Sequence, residues 1–239
     1  IGCGPKRHPV PVDLVEQAQI PGFADIRVFG DQVPQKFGKD IAARFAQRVD
    51  RGDNEITVLA LSGGGARGAF GAGLLCGWSD RGNRPTFRIV TGISTGALIA
   101  PFAFVGSEYD AKLREAYTLV GPSDIYRLRL TGLLGDSLTD NSPLHRLAER
   151  FLDEALVKAV AREHAKGRRL YVGTVNMDAQ RPVFWDMGAI AAKDHPDALS
   201  LFRRVIIAST TIPVVFPPEY FKVKADRSEE RRVGKECTI

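Results

Sequence analysis

The chain has 239 residues, 44% hydrophobic and 26% charged, with a mean hydropathy of −0.11. This composition excludes disordered, collagen-like and membrane-spanning classes, and the length suits one α/β domain with a full core. Thirty-three basic against 28 acidic residues give a net charge of +5, mixed along the chain rather than gathered. A nucleic-acid partner is therefore not implied, whereas an anionic membrane surface is compatible.

The chain opens Ile1-Gly2-Cys3-Gly4 and continues through a Pro-rich polar stretch, Pro5–Pro11. The opening resembles the end of a bacterial lipoprotein signal, in which a small residue precedes the lipid-bearing cysteine. On that resemblance Cys3 is the lipidation site, residues 1–20 are a tether, and the protein sits anchored in the bacterial envelope; a cytoplasmic location is the alternative. Cys76 lies in an apolar helical stretch and reads as a small core residue. With Cys237, three scattered cysteines make neither a disulfide framework nor a metal site.

Gly22–Asp50 carries a helix signal around Gly38–Val49. Glu55–Leu61 is a continuous apolar run of the kind that makes a buried parallel strand. It enters Ser62-Gly-Gly-Gly-Ala-Arg-Gly68 and a small-residue helix, Ala69–Ser79. Phe87–Thr91 is a second strand, followed by Gly92-Ile-Ser-Thr-Gly96 and an apolar helix, Ala97–Val105. Asp110–Val120 is amphipathic. Ser142-Pro143 starts a helix expected to run to about Lys166. Arg169–Val175 and Pro182–Asp186 are strands joined by an Asp-Ala-Gln turn, Ala198–Ala208 is helical, and Tyr220–Lys224 is the last strand. From Arg227 the chain reads Arg-Ser-Glu-Glu-Arg-Arg-Val-Gly-Lys-Glu-Cys, which closely resembles the in-frame translation of a sequencing-library adapter. Residues 227–239 are accordingly expected to be a non-native tail and 21–226 an α/β domain with its C-terminal part missing. Alternating strands and helices predict a sheet that is mostly parallel between helical layers.

Two glycine motifs stand at strand-to-helix corners, where α/β folds place ligands. Gly63-Gly64-Gly65-Ala-Arg-Gly68 has the G-x-G-x-x-G spacing of a dinucleotide site, but the next strand ends Thr91-Gly92, without the carboxylate that would hold a ribose. A cofactor is therefore not expected. Gly92-Ile-Ser94-Thr-Gly96 is a G-x-S-x-G elbow, which presents a serine hydroxyl on a sharp turn at a helix start. A glycine turn on the preceding strand supplies the backbone N–H donors that an acyl-transfer serine needs. Each motif explains the other.

Together the two motifs resemble those of the patatin-like phospholipase family, as does Ala208-Ser-Thr-Thr-Ile-Pro213-Val-Val-Phe-Pro-Pro218. The resemblance implies a three-layer α/β/α sandwich of patatin type. It makes Ser94 the nucleophile, Gly63, Gly64 and Gly65 the oxyanion turn, and Gly68, Gly92 and Gly96 motif glycines. It also implies a Ser–Asp dyad without histidine, a phospholipid or other lipid ester as substrate, and no metal or cofactor. The family's aspartate stands in an Asp-Gly motif, and no Asp-Gly pair follows Pro218. The second member of the dyad is thus expected to be absent from these 239 residues, leaving them inactive. Asp226 is the nearest substitute. Two alternatives stay open: a Ser94–Asp186–His195 triad, and a non-catalytic, envelope-anchored lipid-binding domain. Trp78, Trp185, Phe102 and Phe104 read as core, and Ala97–Phe104 as a candidate lining for an acyl-chain cleft.

Overall fold

A computed structural model describes residues 10–33, 37–39, 41–43, 46, 56–118, 127–128, 139–140, 142–212, 215–225 and 232–237. Its strands are β1 (Arg27–Phe29), β2 (Val58–Leu61), β3 (Ile89–Gly92), β4 (Arg127–Leu128), β5 (Thr139–Asp140), β6 (Arg169–Asn176), β7 (Arg181–Asp186), β8 (Glu219–Val223) and β9 (Arg232–Cys237). Its labelled helices are α1 (Gly68–Asp80), α2 (Thr95–Val105), α3 (Asp110–Thr118), α4 (Ser142–Phe151), α5 (Glu154–Ala165), α6 (Met187–Ala191) and α7 (Ala198–Thr210).

The central sheet runs β1-β7-β6-β3-β2. β2, β3 and β6 are mutually parallel, β7 is antiparallel to β6, and β1 is antiparallel to β7. Four of these five strands therefore point the same way. The helices that follow β2 and β3 return the chain across the sheet, as parallel neighbours require. The β6–β7 hairpin has the expected turn, closed by Asn176, whose Oδ1 accepts from the N–H groups of Asp178 and Ala179. β4 and β5 form a separate two-stranded ladder.

Helix α2 lies at the centre of the main core. Its sequence is apolar on every side, which suits a helix enclosed on all faces. Ala97, Ala100 and Phe104 are fully buried, as are Val90 on β3, Leu170 and Val172 on β6, and Phe202, Val205 and Ile206 on α7. Arg168 places its guanidinium 4.5 Å from the centre of the Phe104 ring while bonding Glu163 and the Phe87 carbonyl. A second cluster (Val28, Phe37 and Tyr171, with Ile41, Ile89 and Phe184) packs helical residues near 37–43 against the sheet. These layers give the expected three-layer α/β/α sandwich. Trp185 is core, with its indole N–H donating to Thr174 Oγ1 at 2.9 Å; Phe102 and Phe104 are likewise buried and Trp78 is half-buried.

Several elements depart from expectation. The single helix predicted from Ser142 to Lys166 is two helices. Asp153 interrupts it, adopts extended backbone, and accepts the Leu156 N–H at 3.0 Å to cap α5. A good N-cap ends one helix as readily as it starts the next. Part of residues 1–20, expected to be a tether, is packed on the domain. Val15, Ala18 and Ile20 are buried in the main core, and Gln19 exchanges both backbone hydrogen bonds with Lys224. β9 lies within the segment read as a charged tail. It pairs antiparallel with β8 and, at its end, with β6. Strand pairing uses only backbone groups, so a charged sequence does not preclude it.

Glu219, at the start of β8, is buried and bonded to His145 Nε2 at 3.0 Å and Arg204 Nε at 3.2 Å. Burial pushes its carboxyl up, but the His145 and Arg204 contacts outweigh that and hold it below its ordinary value of 4.5. A group with a lowered folded value stabilises the fold above its unfolded value, and that stabilisation is lost as pH falls through the folded one. Denaturation midpoints taken from pH 7 downward should fall below about pH 4.5. In Glu219→Gln the loss should be shallower, from a lower starting stability. A slope identical to wild type would remove Glu219 from the acid response.

Candidate active site

β2 and β3 deliver both glycine motifs to the same end of the sheet, since Leu61 and Gly92 are register partners. Ser94 follows immediately, with φ 56° and ψ −126°. That is a left-handed backbone which a non-glycine residue holds only when its surroundings enforce it. Here they do. The Ile93 N–H donates to the Leu61 carbonyl at 3.1 Å, the Ala97 N–H to the Ser94 carbonyl at 2.8 Å, and the Ser94 N–H to Ser209 Oγ at 3.0 Å. The glycines on either side allow close approach: a Cβ on Gly92 would stand 2.5 Å from the Gly96 carbonyl oxygen, and one on Gly96 would stand 2.2 Å from that of Leu61.

The turn after β2 lies against the serine. A Cβ on Gly63 would come within 2.9 Å of Ser94 Cβ and 3.6 Å of Ser94 Oγ. Gly65 has φ +55°, and Gly65–Arg67 form a single 3-10 turn leading into α1. Among the described residues no acceptor takes the N–H of Gly63, Gly64 or Gly65. Gly68 packs its Cα against the Thr95 side chain, where any Cβ would clash at 2.9 Å. The Tyr117 hydroxyl of α3 donates to the Thr95 carbonyl at 3.3 Å, and burial pushes that phenol far above its ordinary range. The N-terminal dipole of α2 adds partial positive charge beside Ser94. The strained serine, the glycine turn and the helix start thus converge on one point, an arrangement able to stabilise a developing oxyanion.

Ser209 is the residue that sequence reading missed. It lies fully buried on α7, accepts from the Ser94 N–H, and donates its own hydroxyl to the Gly173 carbonyl of β6 at 2.7 Å. One side chain thereby ties the elbow to the third strand of the sheet. Ser209 falls in the segment Ala208–Pro218 that carries the family resemblance, but a serine 115 residues from Ser94 gives no local signal of that contact.

The histidine triad is not assembled. Neither Asp186, which register places opposite Tyr171, nor His195 is bonded to Ser94, and each is engaged elsewhere. Asp186 accepts the Ala189 N–H to cap α6 and faces His164 at 3.7 Å. His195 instead packs its ring on Phe23 and faces Asp197. Nor does Ala97–Phe104 line a cleft beside Ser94: all of these residues but Leu98 are buried, and Ala103 borders only a cleft at the far end of the sheet. That cleft, of about 440 Å³, lies by Arg84 and Arg168, both already paired with carboxylates. Asp226 and Cys3 lie outside the described residues. Among the described residues no carboxylate or imidazole is hydrogen-bonded to the Ser94 hydroxyl, no His, Cys, Asp and Glu cluster could hold a metal, and no helix is long and apolar enough to cross a membrane.

An α/β/α protein with a strained serine at a strand-to-helix corner, facing a glycine turn, has the architecture of a serine acyl hydrolase. The family model for patatin-like phospholipases matches residues 59–228, more than two thirds of the chain, and the protein belongs to that family. Its general chemistry is lipid acyl hydrolysis. The match begins in β2 and stops before β9. No curated protein matches the chain.

Proposed function

We propose that the protein hydrolyses a carboxylic ester of a lipid, with phospholipid as the substrate class and Ser94 as nucleophile. The observation that carries this reading is Ser94 at φ 56°, its side chain against the Gly63 turn. In this reading Ser94 Oγ attacks the acyl carbon while an aspartate takes its proton. The carbonyl electron pair moves onto oxygen, which receives the N–H groups of the Gly63–Gly65 turn. Collapse of the intermediate expels the alcohol, which leaves with that proton, and forms an acyl-Ser94 ester. Water, deprotonated by the same carboxylate, then releases the fatty acid and restores the serine.

The aspartate of this scheme is the one in the family's Asp-Gly motif, and no Asp-Gly pair follows Pro218 here. The 239 residues alone should therefore turn over a short-chain ester slowly or not at all, and a chain extended through that motif should turn it over readily. Equal rates at matched folded concentration would overturn the assignment and make Asp226 the base to examine. A fluorophosphonate probe should label the extended chain at Ser94. Silence at that serine in a folded, extended protein would favour a non-catalytic lipid-binding domain.

A further inference from the structure

We propose that the outer face of α1 docks the protein on an anionic lipid surface. Its inner face (Ala72, Leu75, Cys76) is buried in the core. The outer face is also apolar. Phe70 is 76% exposed and Leu74, one turn later, 56% exposed, and a pair spaced i,i+4 lies on one side of a helix. Gly73 and Gly77 are exposed along the same side, with open space where a Cβ on either would stand, and Ala66 is exposed in the turn before the helix. From Gly68 to Ser79 there is no charged side chain. By contrast, α5 presents Glu154, Lys158 and Arg162 to solvent. A helix apolar on all sides calls for an apolar partner on all sides, and among the described residues α1 has one on its inner side only.

Position and charge point to lipid as that partner. α1 starts at Gly68, immediately beyond the turn that lies against Ser94. Ile93, just before Ser94, and Ile212, just after α7, are exposed at the same end of the sheet, at 41% and 50%. The exposed apolar residues thus extend from α1 to the serine. Between Ser62 and Ser79 there is no carboxylate and one cation, exposed Arg67; at the far end stand Asp80, the last residue of α1, which is paired with Arg114, and exposed Arg81. Apolar side chains flanked by arginines match the interface of an anionic bilayer. The inference rests on the reading above only in taking lipid as the partner; it does not depend on turnover.

The test is co-sedimentation of the 239-residue chain with vesicles of phosphatidylcholine, alone or mixed with phosphatidylglycerol. Binding is expected to be stronger to the mixed vesicles. It should weaken roughly tenfold or more in Phe70→Ser/Leu74→Ser, since two exposed apolar side chains lose their burial in lipid. Hydrogen exchange on the wild-type chain gives a readout that needs no variant: vesicles should slow exchange along residues 68–80. Vesicle binding together with no ester hydrolysis even in a chain that carries the Asp-Gly motif would leave this proposal standing and remove the hydrolase reading. The proposal is overturned by a wild type that ignores mixed vesicles, by a folded double variant that binds as wild type does, or by unchanged exchange in α1. A concentration-dependent dimer that the double variant dissolves, without vesicle binding, would assign the face to a second copy instead.

Discussion

Replacing Ser94 with alanine in any ester-hydrolysing form of the protein is expected to lower the rate by at least about a thousandfold, because no other described group is placed to form the acyl intermediate. The thermal midpoint should hardly change. Alanine occupies φ 56° no more easily than serine, so the backbone strain is retained. Ser94→Gly separates the two contributions. It removes the nucleophile as completely, yet relieves the left-handed strain, and should raise stability by about 1 kcal/mol. Activity and stability then move in opposite directions at one position, as expected where a fold holds a reactive group in a costly geometry. Appreciable turnover by either variant, measured on a short-chain ester and by phosphonate labelling, would exclude Ser94 from the chemistry.

Gly96→Ala is expected to be among the most damaging single substitutions. The added Cβ would stand 2.2 Å from the Leu61 carbonyl oxygen and 2.6 Å from its carbon. Both are backbone atoms of β2, held by the parallel ladder to β3 and by the Ile93 N–H bond to that same oxygen. Nothing flexible can yield, so β2 and α2 must separate. The cost should be about 3 kcal/mol, a loss typical of severe overpacking. Gly73→Ala is the control: nothing lies within 4 Å of its Cβ position, and it sits inside α1. It should stabilise the protein by about 0.5–1 kcal/mol through helix propensity alone. Denaturant midpoints for the two variants should fall on opposite sides of wild type. If both fall on the same side, close backbone approach is not what reserves position 96 for glycine.

What the amino-acid sequence determined by itself was the local part. A continuous apolar run, a glycine turn and a small-residue helix are written in consecutive residues, and so are the second strand, the G-x-S-x-G corner and the helix behind it. Their physics is local: side-chain period, backbone freedom at glycine, and the donors left open at a helix start. For that reason the α/β class, the hairpin at Asp178–Gln180 and the candidate nucleophile could be read without coordinates. Tertiary structure decided whatever depends on a distant partner. β1 is three residues long and exists because β7 offers it a ladder. α4 and α5 divide where Asp153, also paired with Lys112, finds capping better than continuing the helix. Ala97–Phe104, apolar enough to line a cleft, is closed in because sheet and helices surround it. Ser209 becomes part of the elbow only when α7 docks on β6. That contact spans 115 positions, and its energy lies in two hydrogen bonds, one buried and one partly buried, that no local pattern encodes.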